Sequence, residues 1–192
     1  MSVLNMTCND LKKYEERCRP DKDSRKNTNI GLARNLYGID LYSDAGFISD
    51  DDVLFDVITT DHQYIKNTLG EDGHNIIAKT VFRALCRLSD DEIKEKMTNL
   101  FILMNKSNFK VDASEYLGAQ VCPFADYNTL KCHNCVLPNR ANMDFVITKL
   151  SNGDKLKISS LMPHLYYDHH FFEGNVPNRI EPSRLIDFFE LI

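Results

Sequence analysis

The sequence predicts an α+β protein: a mostly helical body, a small β-hairpin lobe supported by zinc, and a C-terminal helix that returns to the body. Apolar residues recur at helical spacing through the middle of the chain, which indicates helices with one buried face. Further on, two short alternating runs flank an Asn-Gly pair, the strongest local signal for a β-hairpin. Of the 6 cysteines and 6 histidines, three and four respectively lie between Cys122 and His170, a composition typical of metal sites.

These signals divide the chain into four predicted segments. The first is a flexible N-terminal segment, whose long polar run has no clear period. The second is the helical body, the third is the Cys/His zinc-binding hairpin lobe, and the fourth is the helix that packs on the body. Their predicted ranges are 1–30, 31–118, 119–175 and 176–192.

The composition limits the class of protein. In 192 residues, 43% hydrophobic and 27% charged side chains are ordinary for a folded protein. The chain shows no signal-peptide core and no apolar run of the roughly 18 residues that a membrane span needs, so we expect a protein of the cytoplasm or nucleus without membrane contact. A net charge of −5 gives no broad positive field, which disfavours general binding to nucleic acid.

Four helices are predicted in the body. Ser49 is a good N-cap for a helix over 51–59, and a second short helix ends at Gly70. The run HNIIAKTVFRALCRL predicts a third helix, and a capping box at Ser89 opens a fourth, SDDEIKEKMTNLFILMN. We expect the last two to pack as a helical hairpin. Ser114 is a candidate cap for a further helix.

Towards the C-terminus the period changes from helical to alternating. Residues 144–150 and 155–160 are predicted strands, joined by a turn at Asn152 and Gly153. The apolar face of this hairpin is predicted to contain Phe145, Ile147, Leu156 and Ile158. After it, Ser183 is the predicted cap of a final helix whose apolar side chains pack the end of the chain onto the body.

The predicted metal site starts from a Cys-x-x-Cys pair, which can bend into a turn that points both sulfurs at one ion. Two ligand sets are open. The preferred set is Cys122, Cys132, Cys135 and His164. His169 and His170 are the alternatives to His164, and the second set takes Cys132, Cys135 and two histidines without Cys122. A saturated cysteine-rich site has no open position to activate water, so we expect the zinc to be structural.

The stretch CPFADYNTLKCHNCVLPNR resembles the small Cys/His proteins of baculoviruses. A chain without tryptophan that is rich in Asn, Asp, Ile and Lys suits the AT-rich genomes of such large insect viruses. The order of a Cys-x-x-Cys turn, a hairpin and then histidines also resembles treble-clef-type zinc modules in outline. The first resemblance implies a viral protein and the second a zinc-supported lobe.

We therefore expect a non-enzymatic zinc-binding adaptor or regulatory protein that acts through protein partners. One alternative is a zinc-finger-type nucleic-acid-binding expression factor with a local basic face. That face would contain Lys131, Arg140, Lys149, Lys155 and Lys157. The other alternative is a metal-dependent hydrolase with an open ligand position near Asp168, His169 and His170.

Overall fold

The computed structural model describes residues 3–19, 46–85, 108–126 and 139–192, together with Cys132, Cys135 and Leu137. Over these residues the chain forms five helices and a three-stranded antiparallel sheet, so the α+β prediction is confirmed. The helices are α1 Cys8–Cys18, α2 Leu54–Leu69, α3 Gly73–Leu85, α4 Met162–His164 and α5 Pro182–Phe189. The strands are β1 Phe109–Val121, β2 Arg140–Lys149 and β3 Lys155–Ser159.

α1 lies within the segment that we expected to be flexible. Its N-terminus is closed by a capping box, in which the Asp10 amide donates to the Thr7 hydroxyl at 3.2 Å and the Thr7 amide donates to the Asp10 carboxylate at 3.1 Å. The helix buries Leu11 and Cys18. Arg17 Nη1 donates to the Ala125 carbonyl at 2.6 Å, which ties α1 to the region that follows β1.

The two short helices predicted before Gly70 are one continuous helix, α2. It begins at Leu54, so the prediction that Ser49 caps it is wrong. The Ser49 amide instead donates to the Asp52 carboxylate at 2.7 Å in a turn before the helix. α2 ends at Gly70, as predicted, because φ of 81° suits glycine there.

α3 confirms the third predicted helix as far as Leu85. Its buried face includes Ile77, Ala78 and Val81, which follow the predicted helical spacing. The fourth predicted helix, opening at Ser89, lies outside the described residues, and so does the predicted helical hairpin.

The predicted hairpin is confirmed as β2 and β3, with Phe145 opposite Ile158 and Ile147 opposite Leu156. All four of these side chains are buried, so the predicted apolar face is confirmed as well. Gly153 has φ of 75° in the connecting turn, a conformation that costs glycine nothing.

β1 is the main departure from the predicted fold. The prediction that Ser114 caps a helix is wrong, because Ser114 lies in β1 opposite Asp144. Around it, the half-buried Phe109 and Val111 alternate with exposed residues, the period of a strand rather than of a helix. Pairing with β2 along this period outweighs the local capping signal. β1 also starts inside the range that we assigned to the helical body, 31–118.

α5 packs against the sheet. The prediction that Ser183 caps it is wrong: Glu181 is the N-cap, and Pro182 takes the first helical position, where its missing N–H costs nothing. The Phe188 ring lies 5.7 Å from the Phe109 ring, measured between centroids, and Lys149 pairs with Glu190 just after the helix. These contacts hold α5 against the sheet, and its packing on the helical body stays a prediction.

The boundaries of the four predicted segments stay a prediction. The buried side chains that the structure describes nevertheless form one main cluster, to which each of the four ranges contributes, for example through Leu11, Ile58, Phe171 and Leu185. Among the described helices, none combines the length and apolar character that crossing a bilayer requires.

Gly73 lets α2 and α3 approach closely at their shared corner. A Cβ atom there would lie 2.6 Å from Ile65 Cγ2 and 2.9 Å from Leu69 Cβ. Helix propensity alone would make Gly73→Ala stabilising by about 1 kcal/mol, whereas a clash with Ile65 and Leu69 would make it destabilising. The sign of the change in the free energy of unfolding therefore shows which of the two dominates. We expect Gly73→Ala to lower the free energy of unfolding by roughly 1–3 kcal/mol in a urea titration.

The control is Asn67→Ala at an exposed position of α2. This change should be neutral or slightly stabilising, since alanine is the better helix former. A Gly73→Ala protein that gains stability would contradict the close approach of the two helices.

Candidate metal centre

The three cysteines of the predicted site lie in the connection between β1 and β2, rather than in front of a lone hairpin. Cys122 directly follows β1, and its amide donates to the Asn139 carbonyl at 3.0 Å. Beside this bond, Val121 pairs with Arg140 in the sheet. The two ends of the connection are therefore fixed to each other by backbone pairing, and Cys132 and Cys135 lie within the enclosed loop.

The histidines come from the segment after β3, where α4 continues as a π-helical turn, Leu165–His169. In an α-helix, residues five apart point about 140° away from each other. A π-turn forms hydrogen bonds five residues back, and the His170 amide donates to the Leu165 carbonyl in this way. The turn thus brings His164 and His169 to one side, with their Nε2 atoms 3.2 Å apart.

The donor atoms of Cys122, Cys132, His164 and His169 all lie within 4.8 Å of one another. His169 Nε2 is 3.3 Å from Cys122 Sγ and 3.6 Å from Cys132 Sγ. His164 Nε2 is 3.5 Å from Cys132 Sγ. Three of these residues are buried and Cys132 is half-buried, so the four donors face a site largely shielded from solvent.

These separations match the edges of a metal-ion tetrahedron. Bonds of about 2.3 Å to sulfur and about 2.0 Å to nitrogen put S and N about 3.5 Å apart and two N atoms about 3.3 Å apart around tetrahedral zinc. The sulfur–nitrogen distances of 3.3, 3.5 and 3.6 Å and the nitrogen–nitrogen distance of 3.2 Å agree with these values. The four side chains lie close enough to hold a metal ion.

Asp168 orients one of the histidines. Its Oδ2 lies 2.9 Å from His164 Nδ1 and accepts a hydrogen bond from the Leu137 amide at 3.0 Å. A proton on Nδ1 leaves the lone pair of His164 Nε2 directed at the two sulfurs and His169. Metal-binding histidines commonly have this carboxylate behind the ring.

The electrostatics of the cluster favour positive charge. Burial opposes protonation of His164, but hydrogen bonds with Asp168 and Cys132 outweigh burial and raise the pKa of His164 to about 9. A metal ion would compete with that proton for the His164 ring and would be stabilised by the same neighbours, Asp168 and Cys132.

Cys135 is the fifth possible donor. Its Sγ lies 3.7 Å from His169 Nε2, and it forms a second close group with His164 and Asp168. A hydrogen bond with Cys132, and then burial, raises the pKa of the Cys135 thiol. Of the predicted ligands, Cys122, Cys132 and His164 thus share the four-membered group, and His169 is its fourth member.

His170, the other histidine alternative, turns away from this centre. Its backbone is left-handed, with φ of 57°, and its ring stacks on His74 at a centroid distance of 4.6 Å. His62 also stacks on His74, and its Nδ1 atom lies 3.0 Å from His74 Nε2. His133, between the two loop cysteines, lies outside the described residues.

Aromatic side chains cover the histidine side of the centre. The Phe124 ring lies 4.7 Å from the His169 ring, and Phe171 meets Phe124 edge-on at 5.4 Å. Phe171, Phe172 and Tyr166 are all buried. These side chains belong to the core instead of forming an exposed aromatic surface.

Two features of the centre were missed or ranked low by the sequence reasoning. His169 ranked behind His164 because His164 follows Pro163 and comes first after the predicted hairpin, and no sequence pattern predicts the π-turn that brings the two together. Asp168 was considered only as a ligand in an enzyme site. Its spacing of four residues from His164 was a usable signal, since residues four apart share a helix face.

The predicted basic face is interrupted by acidic partners. Lys149 pairs with Glu190, and Lys157 pairs with Asp144 at 2.7 Å. Lys110 on β1 likewise pairs with Asp112 at 2.9 Å. Lys131 lies outside the described residues.

Comparison of the chain with protein-family models, with curated proteins and with solved structures gives no match. The resemblance to small Cys/His proteins of baculoviruses stays a prediction.

The stacked histidines generate a prediction about pH. Burial, with smaller contributions from the charges of His170 and His62, lowers the pKa of His74 to about 3. Because an unfolded histidine titrates near 6.5, the unfolded chain takes up a proton that the folded protein excludes. Stability should therefore fall as the pH drops below about 6.5, with a slope of up to about 1.4 kcal/mol per pH unit from this residue.

We expect His74→Gln to flatten this slope between pH 6.5 and about 4 in urea titrations. Burial raises the pKa of Glu173 to about 8, which gives the opposite dependence, but that contribution is the same in both proteins. His62→Gln is the control: it keeps the imidazole of His74 and removes only a minor cause of its lowered pKa, so it should change the slope much less than His74→Gln does. Equal slopes for His74→Gln and wild type would show that His74 takes up its proton in the folded state.

Proposed function

We propose that this protein binds one zinc ion through Cys122, Cys132, His164 and His169, and that the ion is structural. The observation that carries the proposal is that four of the six donor-atom separations, 3.2–3.6 Å, match a tetrahedral zinc site, and that all four atoms lie within 4.8 Å of one another. Sulfur and imidazole donors favour zinc among the common divalent ions, whereas calcium and magnesium prefer oxygen.

The charge of this ligand set supports zinc in a shielded site. Two thiolates and two neutral imidazoles balance the two positive charges of Zn²⁺, which keeps the cost of burying the ion low. A third thiolate would leave the centre with a net negative charge beside the buried carboxylate of Asp168. The set of Cys122, Cys132, His164 and His169 is therefore preferred over the predicted set with three cysteines, which includes Cys135.

A structural role is favoured over hydrolysis. A catalytic zinc site keeps one position open for water, whereas these four donors complete a tetrahedron. The proposed hydrolase residues also face three different surroundings. Asp168 contacts His164 Nδ1 and the Leu137 amide, His169 faces the sulfurs, and His170 stacks on His74.

We propose further that the protein is a non-enzymatic adaptor or regulatory protein that acts through protein partners. The ion would hold the β1–β2 connection against the turn after β3, and the surface formed there would be the working surface. The mixed charges on the outer face of the sheet support a protein partner over nucleic acid, since Lys157 and Lys110 each have an acidic neighbour.

The test is the metal content of the purified full-length protein, measured by elemental analysis. We expect one zinc per chain, and loss of most of it in Cys122→Ser, Cys132→Ser and His169→Gln, because each removes one of four bonds. Cys8→Ser is the control, since Cys8 is an exposed residue at the start of α1. A protein without zinc, or variants that keep it in full, would refute the proposed centre.

Removal of the ion separates a structural from a catalytic role. A strong chelator should lower the melting temperature of the wild-type protein by several degrees, because metal binding contributes to folding of a structural site. The same chelator should leave Cys122→Ser nearly unchanged. A wild-type melting temperature that does not respond to the chelator would argue against a structural ion.

Asp168 should tune the affinity of the centre. We expect Asp168→Asn to weaken zinc binding by roughly 10–100-fold, because the neutral amide no longer supports the Nδ1 proton of His164. The measurement is competition with a chromogenic chelator of known affinity. Asp144→Asn, on the outer face of the sheet, is the matched control and should bind zinc as the wild type does. Equal affinities would mean that the carboxylate does not act through His164.

A further inference from the structure

The centre offers more donors than a tetrahedral ion can use. Among the residues that the structure describes, five donor side chains surround it: the four preferred ones and Cys135, whose Sγ lies 3.7 Å from His169 Nε2. Cys132 Sγ and Cys135 Sγ lie 3.6 and 3.7 Å from the same atom, His169 Nε2. A second thiol is thus held against a cysteine that the proposed zinc site would keep as a thiolate.

We propose that Cys132 and Cys135 form a redox switch, in which a hydroperoxide oxidises the pair to a disulfide and releases the ion. The inference rests on the proposed zinc centre and adds its regulation. Cys132 would be the thiolate that reacts first, and Cys135 would be the resolving thiol.

Accessibility favours this pair over Cys122. Cys132 and Cys135 are both half-buried, whereas Cys122 has no exposed surface. A small peroxide molecule therefore reaches the loop cysteines first. Two residues separate them, a spacing that commonly supports reversible disulfides. Redox-sensing cysteines are typically accessible thiolates beside a resolving cysteine.

The hydroperoxide is the two-electron oxidant that converts the two thiols into a disulfide. The Cys132 thiolate attacks the outer peroxide oxygen, the O–O bond breaks, and Cys132 becomes a sulfenic acid while an alkoxide or hydroxide leaves and takes up a proton. The Cys135 sulfur then attacks the sulfenic sulfur, its own proton leaves with the hydroxyl as water, and the S–S bond forms. Two electrons pass from the two sulfurs to the peroxide.

The disulfide would remove one of the four zinc ligands. Cys132 is the donor that lies near both histidines, at 3.5 Å from His164 Nε2 and 3.6 Å from His169 Nε2. A site with three remaining donors, only one of them a thiolate, holds zinc far more weakly. Loss of the ion would then loosen the β1–β2 connection, so an oxidant would control the proposed adaptor surface.

The experiment uses the zinc-loaded full-length protein and hydrogen peroxide. Zinc release is followed with a chromogenic chelator, and disulfides are mapped by mass spectrometry of peptides. We expect the wild type to release its zinc together with formation of a Cys132–Cys135 link, and a dithiol reductant to restore binding. Cys135→Ser should hold one zinc beforehand and release it roughly tenfold more slowly, since no resolving thiol follows the sulfenic acid.

Cys8→Ser is the control and should behave as the wild type. If the untreated wild type contains no zinc, the proposed function fails before any peroxide is added. If the wild type holds zinc but Cys135→Ser does not, Cys135 is a ligand; the switch and the preferred ligand set are then refuted, while zinc binding itself stands. Release from Cys135→Ser at the wild-type rate, or a mapped disulfide that joins Cys122 instead, would also refute it. The mapping in wild type decides the pairing even if the variant does not fold.

Discussion

The contact between the end of β1 and the turn after β3 is the constraint on which the arrangement of the site depends. Cys122 meets His169 there, at 3.3 Å from sulfur to nitrogen, although the two residues are far apart in the chain. Backbone pairing with β2 fixes where Cys122 lies, and the π-turn fixes where His169 points. The cysteine loop is thereby closed at both ends by the sheet, which lowers the conformational entropy that a bound ion would have to remove to hold the loop against the turn.

Local signals predicted the local elements of the fold. The Asn152-Gly153 turn joins β2 and β3 as expected, and the apolar spacing in α3 matches its buried face. β1 was not predicted, because a strand gains most of its stability from a partner elsewhere in the chain. The half-buried Phe109 and Val111 form only a short alternating run, and Ser114 offers a competing local signal that pairing with Asp144 overrides.

The same contrast between local signals and long-range contacts applies to the site. The Cys-x-x-Cys spacing and the neighbouring histidines indicated a metal centre, and Cys122, Cys132 and His164 do come together. The choice between His169 and Cys135 as a further donor depended on geometry that the sequence does not encode locally. Only the change from α-helix to π-turn brings His169 level with His164, and such turns are rare and have no simple sequence pattern.

The triplet Asp168-His169-His170 illustrates how one short run serves three purposes. Asp168 supports His164 from behind, His169 faces the sulfurs, and His170 stacks on the buried His74. The backbone is left-handed at His170, whose ring contacts His74, while the ring of His169 contacts the Cys122 sulfur. These consecutive residues therefore connect the candidate metal centre to α3, through the contact of His170 with His74, and to the cysteine loop, through the contact of His169 with Cys132. Burial lowers the pKa of His74 and of His170, whereas hydrogen bonds with Asp168 and Cys132 outweigh burial and raise the pKa of His164, so the positive charge is favoured at His164 rather than at His74 or His170.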